Sequence, residues 1–205
     1  MNKYFDPHFK TNVTIVEQGE SYSTKKSEII TTVLGSCIAV CLYEPAGGMG
    51  GLNHFMLPEP LHSKGGDDQF FNKAKYGVYS MELLLNQLMK MGAVRSALKA
   101  KVFGGANMFS YEKVNEGLSV GEQNTEFVMK YLDMEKIKLE SYDVAGSLAR
   151  KVFFDPKTGY VKLFRLNSDK KEQEKLQDQE KSFLEKIRES LDKAQSVESK
   201  VTFFD

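Results

Sequence analysis

The chain has 205 residues, 41% hydrophobic and 27% charged, the composition of a soluble globular domain long enough to bury a sizeable core. Its 28 Lys and Arg balance 28 Asp and Glu, and a net charge of zero argues against a general nucleic-acid binder or a polybasic membrane binder. Two cysteines make no disulfide framework, no apolar run approaches the ~20 residues of a membrane helix, and the opening MNKYFDPHFKTN lacks an apolar signal core, so the expectation is a cytoplasmic protein in a reducing compartment whose cysteines act as thiols.

Along the chain, residues up to about Lys26 are polar, with one short strand expected at Val13–Glu17. From Ile29 to Tyr43 the sequence turns apolar and β-branched and predicts two strands broken at Gly35-Ser36. Pro45 to Gly51 reads as a turn and Leu52–Leu57 as a strand stopped by Pro58. Residues 58–69 form a Pro-, Gly- and Asp-rich loop. A helix follows, its stripe made by Phe71, Ala74, Val78, Met81, Leu84, Leu85 and Leu88, with Asp67 or Asp68 as cap and Gly92 as its end. Leu98–Phe103 alternates as a strand and runs into Gly104-Gly105. A second helix is expected over 120–132, then strands at 137–143, 148–154 and 160–166, the last two joined by the turn Asp155-Pro156-Lys157-Thr158-Gly159.

Composition breaks after Asn167. Of the 32 residues from 169 to 200, 17 are charged, and none is Gly or Pro, while Leu176, Phe183, Ile187, Leu191 and Ala194 share one helical face. The organisation is therefore a body of residues 1–168 and a charged helical extension of residues 169–205. The first part of that helix, to 182, reads as a solvated face; from 183 onward, with Phe203 and Phe204, it reads as an arm that docks a partner or a second copy.

Cys37 is the candidate nucleophile. It follows a sharp Gly35-Ser36 turn, where free backbone N–H groups can hold an oxyanion, but a thiol near its ordinary pKa needs a neighbouring base. Of the three histidines, His8 lies in the N-terminal stretch and His62 in a loop, and only His54 falls on a strand. A hairpin from Cys37 through Pro45–Gly51 to Leu57 brings His54 back toward the Cys37 end. The hydroxyl of Thr31 or of Thr32 could orient the ring. The bland alternative is that both are core residues, as Cys41 is read to be: four residues on along one strand, it lies roughly 13 Å from Cys37. A metal site from His54, His62, Asp67 and Asp68 lacks ligand spacing, and Gly104-Gly105 alone makes no phosphate loop.

The stretches Thr31-Thr32-Val33-Leu34-Gly35-Ser36-Cys37, Gly51-Leu52-Asn53-His54-Phe55-Met56-Leu57-Pro58, Phe103-Gly104-Gly105-Ala106-Asn107-Met108-Phe109 and Val120-Gly121-Glu122-Gln123-Asn124, with the closing hairpin from Gly146 to Leu166, resemble the CheD chemoreceptor glutamine deamidases. The resemblance covers roughly residues 12–166. It departs at Gln123, where many relatives carry arginine, and the tail after Asn167 falls outside it.

The resemblance implies an α/β fold, a sandwich of two β-sheets flanked by helices and similar to bacterial deamidating toxins, here with an added C-terminal amphipathic helix. It implies a catalytic triad of Cys37, His54 and Thr31, the threonine being the one six residues before the cysteine, with Ser36, Gly35, Asn53, Gly104 and Gly105 around the oxyanion and pocket. The implied reaction is hydrolysis of receptor glutamine amides through a cysteine thioester, without metal or cofactor; some relatives also hydrolyse receptor methyl esters. The implied partners are chemoreceptor cytoplasmic domains and a CheC-type phosphatase, or, if the pocket is inactive, the same partners bound without catalysis.

Overall fold

The computed structural model describes residues 1–57, 75–107, 119–166 and 170–198, and of the last stretch the side chains over 174–190. Among the described residues, ten strands form two five-stranded sheets. The first has the order β1 (Asn2–Asp6), β2 (Thr11–Ile15), β4 (Ile29–Leu34), β9 (Ala149–Phe154), β10 (Val161–Leu166). The second has the order β3 (Ser21–Thr24), β6 (Met49–Phe55), β5 (Ile38–Glu44), β7 (Lys99–Gly104), β8 (Lys138–Val144). The described residues also hold three α-helices: α1 (Lys75–Lys90), α2 (Val120–Met134) and α3 (Lys170–Glu198). This is the expected α/β sandwich.

Alternation along the strands builds two apolar layers, because successive strand residues face opposite sides of a sheet. On β5, Ile38, Val40 and Leu42 face α1 and α2, where they meet Met81, Leu84, Phe127 and Val128. Its odd-numbered residues Ala39, Cys41 and Tyr43 face the other sheet, where they meet Ile30, Leu34, Val152 and Phe154. Phe55 and Phe127 lock the helical layer edge to face, their ring centroids 5.7 Å apart. Both helices thus cover one sheet.

Local chemistry sets the boundaries. Ser119 caps α2 in a reciprocal capping box with Glu122. Gly92, at φ +91°, ends α1, and the next amide, Ala93 N, bonds Leu88 O at 3.1 Å. The expected turn Asp155–Gly159 closes β9 onto β10 through Gly159 N to Asp155 O, 2.9 Å. The stretch read as a turn up to Gly51 ends earlier: β6 begins at Met49 and pairs Gly50 with both Thr24 and Tyr43. Glycine there serves close packing, since a Cβ on Gly51 would sit 2.2 Å from Ser23 Oγ. The expected cap at Asp67 or Asp68, the loop His62, the stripe residues Phe71 and Ala74, Met108-Phe109 and Phe203-Phe204 lie outside the described residues, as do the side chains of Leu191 and Ala194.

Candidate active site

The turn Gly35-Ser36-Cys37 links β4, in one sheet, to β5, in the other. All three of its carbonyls are held from outside. Gly35 O accepts from Ala106 N at 2.8 Å, and Cys37 O from Gly105 N at 2.7 Å. Ser36 O accepts from Asn124 Nδ2 at 2.8 Å, while Asn124 Oδ1 takes the N–H of Leu57, also at 2.8 Å. With every carbonyl fixed outward, the N–H groups of Ser36 and Cys37 point together into the site. Gly104 makes this possible: at φ +112°, a Cβ there would stand 2.1 Å from Cys37 O.

Those two N–H groups hold a carboxylate. Glu180, on α3 and 1% exposed, accepts from Cys37 N with Oε1 and from Ser36 N with Oε2, each at 3.3 Å. Ser36 Oγ donates to Oε2 at 2.6 Å. Gly35 leaves room for the group, since a Cβ would lie 2.7 Å from Glu180 Oε1.

The Cys37 thiol is fully buried. It accepts from Gln18 Nε2 at 2.7 Å and touches Met56 Sδ at 3.8 Å. Burial pushes its pKa well up, and the Glu180 carboxylate adds to the rise by its charge and by a hydrogen bond; Gln18 pulls the other way. The sulfur therefore rests as a thiol. Cys41 is also buried and protonated, facing the same inter-sheet layer, and pairs across the sheet with Leu52.

His54 stands on β6 opposite Ala39, with its neighbour Phe55 opposite Ile38, the first residue after Cys37. Its backbone is clamped by the 16–20 loop: His54 N donates to Glu20 O at 3.0 Å, and Gly19 N donates to His54 O at 2.7 Å. Its Nδ1 shares a 2.8 Å hydrogen bond with Thr32 Oγ1. Its Nε2 is buried and has no hydrogen-bond partner among the described residues. Burial lowers the ring's pKa to about 4, against weaker opposing pulls from the Val16 backbone and Glu20, so the imidazole is neutral at pH 7. No hydrogen bond joins Cys37 to His54 in this state. A cavity of about 580 Å³ opens beside the ring, lined by Val16, Gln18, Thr32, His54, Gln179 and Glu180.

Several expectations change here. Thr31 does not reach the imidazole: it pairs with Phe153 on the outer face of β4 and gives its hydroxyl to Val152 O at 2.8 Å. Thr32, one residue on, shares the inner face with Ile30 and Leu34 and takes His54. Asn53 is not a pocket residue. It points to the helical layer, where Oδ1 accepts from Val40 N at 3.0 Å and Nδ2 donates to Ser80 Oγ at 3.1 Å. Gly104 and Gly105 brace the Cys37 backbone from behind, and Ser36 and Gly35 lie against the Glu180 carboxylate. Gln18, Asn124 and Glu180 were not singled out from sequence. For Glu180 a signal existed: it fills the i+4 position between Leu176 and Phe183 on the apolar stripe, where a charged residue is out of place.

A family model described as CheD chemotactic sensory transduction matches residues 56–165. The chain is 43% identical over 167 residues to a probable chemoreceptor glutamine deamidase CheD 1 of Shewanella oneidensis, an alignment spanning 82% of this chain and 79% of that one. It is 42% identical over 166 residues to a probable chemoreceptor glutamine deamidase CheD of Methylobacillus flagellatus, spanning 80% and 79%. It is 46% identical over 151 residues to the similarly named protein of Hahella chejuensis, spanning 73% and 68%.

Proposed function

The chain belongs to the CheD family, and on that premise we propose that it hydrolyses glutamine side chains of chemoreceptors to glutamate, releasing ammonia, with Cys37 as nucleophile and His54 as acid and base. The observation that carries this reading is the pair of converging N–H groups at Ser36 and Cys37, which already hold a carboxylate beside the thiol. A carboxamide seated there presents its carbonyl oxygen to two preorganised donors and its carbon to the sulfur.

His54 takes the thiol proton at Nε2, the nitrogen left without a partner, which requires the hydrogen on Nδ1 and makes Thr32 Oγ1 its acceptor. The thiolate attacks the amide carbon and the two N–H groups stabilise the oxyanion. Protonated His54 gives its proton to the departing ammonia. Water, activated by the same ring, then cleaves the thioester and restores the thiol. Thr32 is the positioning residue in this scheme. The product carries a new negative charge, which alters the electrostatics of the receptor segment that bears it.

In this reading the protein works in the cytoplasm on chemoreceptor cytoplasmic domains, with a CheC-type phosphatase as a further partner; among the described residues no helix is long and apolar enough to cross a membrane. Mass spectrometry of a receptor cytoplasmic fragment tests the activity. Each converted glutamine gains about one dalton as NH2 is replaced by OH in the hydrolysis. Wild-type protein is expected to give the gain and Cys37→Ala to give none; equal conversion by Cys37→Ala would remove Cys37 from the mechanism.

A further inference from the structure

The Glu180 carboxylate sits where the reaction would leave its product. It takes both oxyanion donors and accepts from Ser36 Oγ. It is brought there by a helix, not a loop. Along that helix Leu176 packs toward Ala106 and Ala149 four residues before Glu180. Phe183 and Leu184 pack on the inter-sheet layer three and four residues after it, and Ile187, seven residues after it, is buried. Phe183 sits against Tyr76, ring centroids 6.5 Å apart, and over Gly19, where a Cβ would come within 2.8 Å. The other charged side chains described on α3, from Glu174 to Glu189, are exposed. A buried carboxylate in the middle of an apolar stripe is costly unless its partners are as good as these.

We propose that α3 is an internal product mimic: it straps across the active site, seats Glu180 in the subsite where a substrate's glutamine is hydrolysed, and must lift for substrate to enter. The proposal rests on the deamidase reading and adds to it a substrate class. The groove takes an amphipathic α-helix whose glutamine is flanked by apolar residues at i−4, i+3, i+4 and i+7, the spacing α3 itself presents. While α3 is docked, the oxyanion donors are occupied and the thiol stays protonated.

Two kinds of full-length variant test this. Glu180→Lys and Phe183→Asp, which undock the helix, are expected to raise the rate of iodoacetamide alkylation of Cys37 about tenfold, while Ser190→Ala, on the exposed side of α3, matches wild type. Unchanged alkylation in both undocking variants overturns the strap, whatever happens to receptor glutamines. Glu180→Gln turns the mimic into a tethered substrate. The Cys37 sulfur then bonds to its amide carbon as the C–N bond breaks, ammonia leaves with a proton from His54, and water releases Glu180 and the free thiol. The peptide containing position 180 is expected to gain about one dalton in this variant and to keep its amide when Cys37→Ala is added. An amide that persists at position 180 in a chain that converts receptor glutamines overturns the product-mimic assignment. Faster alkylation of undocked variants with no conversion of any receptor glutamine supports the strap and removes the deamidase reading.

Discussion

At the scale of single residues, the site turns on which of two adjacent threonines meets the imidazole. Strand parity decides it: Thr32 lies on the inner face of β4 with Ile30 and Leu34, and Thr31 on the outer face with Phe153. Thr32→Val is therefore expected to lower kcat by roughly 10- to 100-fold with little change in KM, as loss of a ring-orienting group does, while Thr31→Val stays near wild type. Steady-state deamidation kinetics on a receptor fragment check both. His54 also makes stability depend on pH. Its pKa falls from an ordinary 6.5 to about 4 on folding, so below pH 6.5 the unfolded chain binds the proton that the folded chain refuses. The contribution is intact above pH 6.5 and is lost as pH falls toward 4. Denaturant melts at pH 7 and pH 4.5 should show wild type losing on the order of 2 kcal/mol more than His54→Gln over that interval. Cys37 and His54 were legible in the sequence because each sits at a marked place, one after a Gly-Ser turn and one alone among three histidines on a strand. The threonine was not, because a spacing carried over from relatives ignores which side of the strand a residue occupies. The alternation of Ile30, Thr32 and Leu34 was there to be read.

At the scale of elements, the Gly35–Cys37 turn is shaped from behind. Its carbonyls go to the chain after β7 and to Asn124 on α2, and Ala145 N in turn caps Gly104 O at 3.1 Å. Asn124→Ala strips a partner from both Ser36 O and Leu57 N, two buried backbone groups. It is expected to cost about 3 kcal/mol in urea unfolding and to lower kcat more than it raises KM. The 103–107 and 120–124 stretches were visible as motifs, but their joint task was not, since it exists only where β7 and the start of α2 come together. Other elements carried no local signal. β1 is exposed along most of its length and β3 is short and polar; both form because β2 and β6 offer partners, with Ser21 paired to Asn53. Asn53 was carried into the pocket with the motif that holds His54, although in a strand a neighbour points the opposite way.

At the scale of the whole molecule, the chemistry lies where two sheets meet. One sheet supplies Thr32, the other supplies His54, and the turn between β4 and β5, which crosses from one to the other, supplies Cys37. This places the thiol and the ring in a buried layer, where each rests uncharged and a seated carboxamide meets fixed donors. The C-terminal helix completes the enclosure from the outside. Its amphipathic character was plain in the sequence, but its seat on the chain's own site was not, because nothing in a charged helix states which surface its stripe will cover. The proposed chemistry depends on covalent attachment of substrate to Cys37. Rapid acid quench of full-length protein mixed with a receptor fragment, followed by peptide mass spectrometry, reads that directly. The expected result is a receptor peptide joined to the Cys37 peptide through a hydroxylamine-sensitive thioester, absent in Cys37→Ala. Conversion of receptor glutamines with no adduct at Cys37 at any quench time, and undiminished in Cys37→Ala, would contradict it.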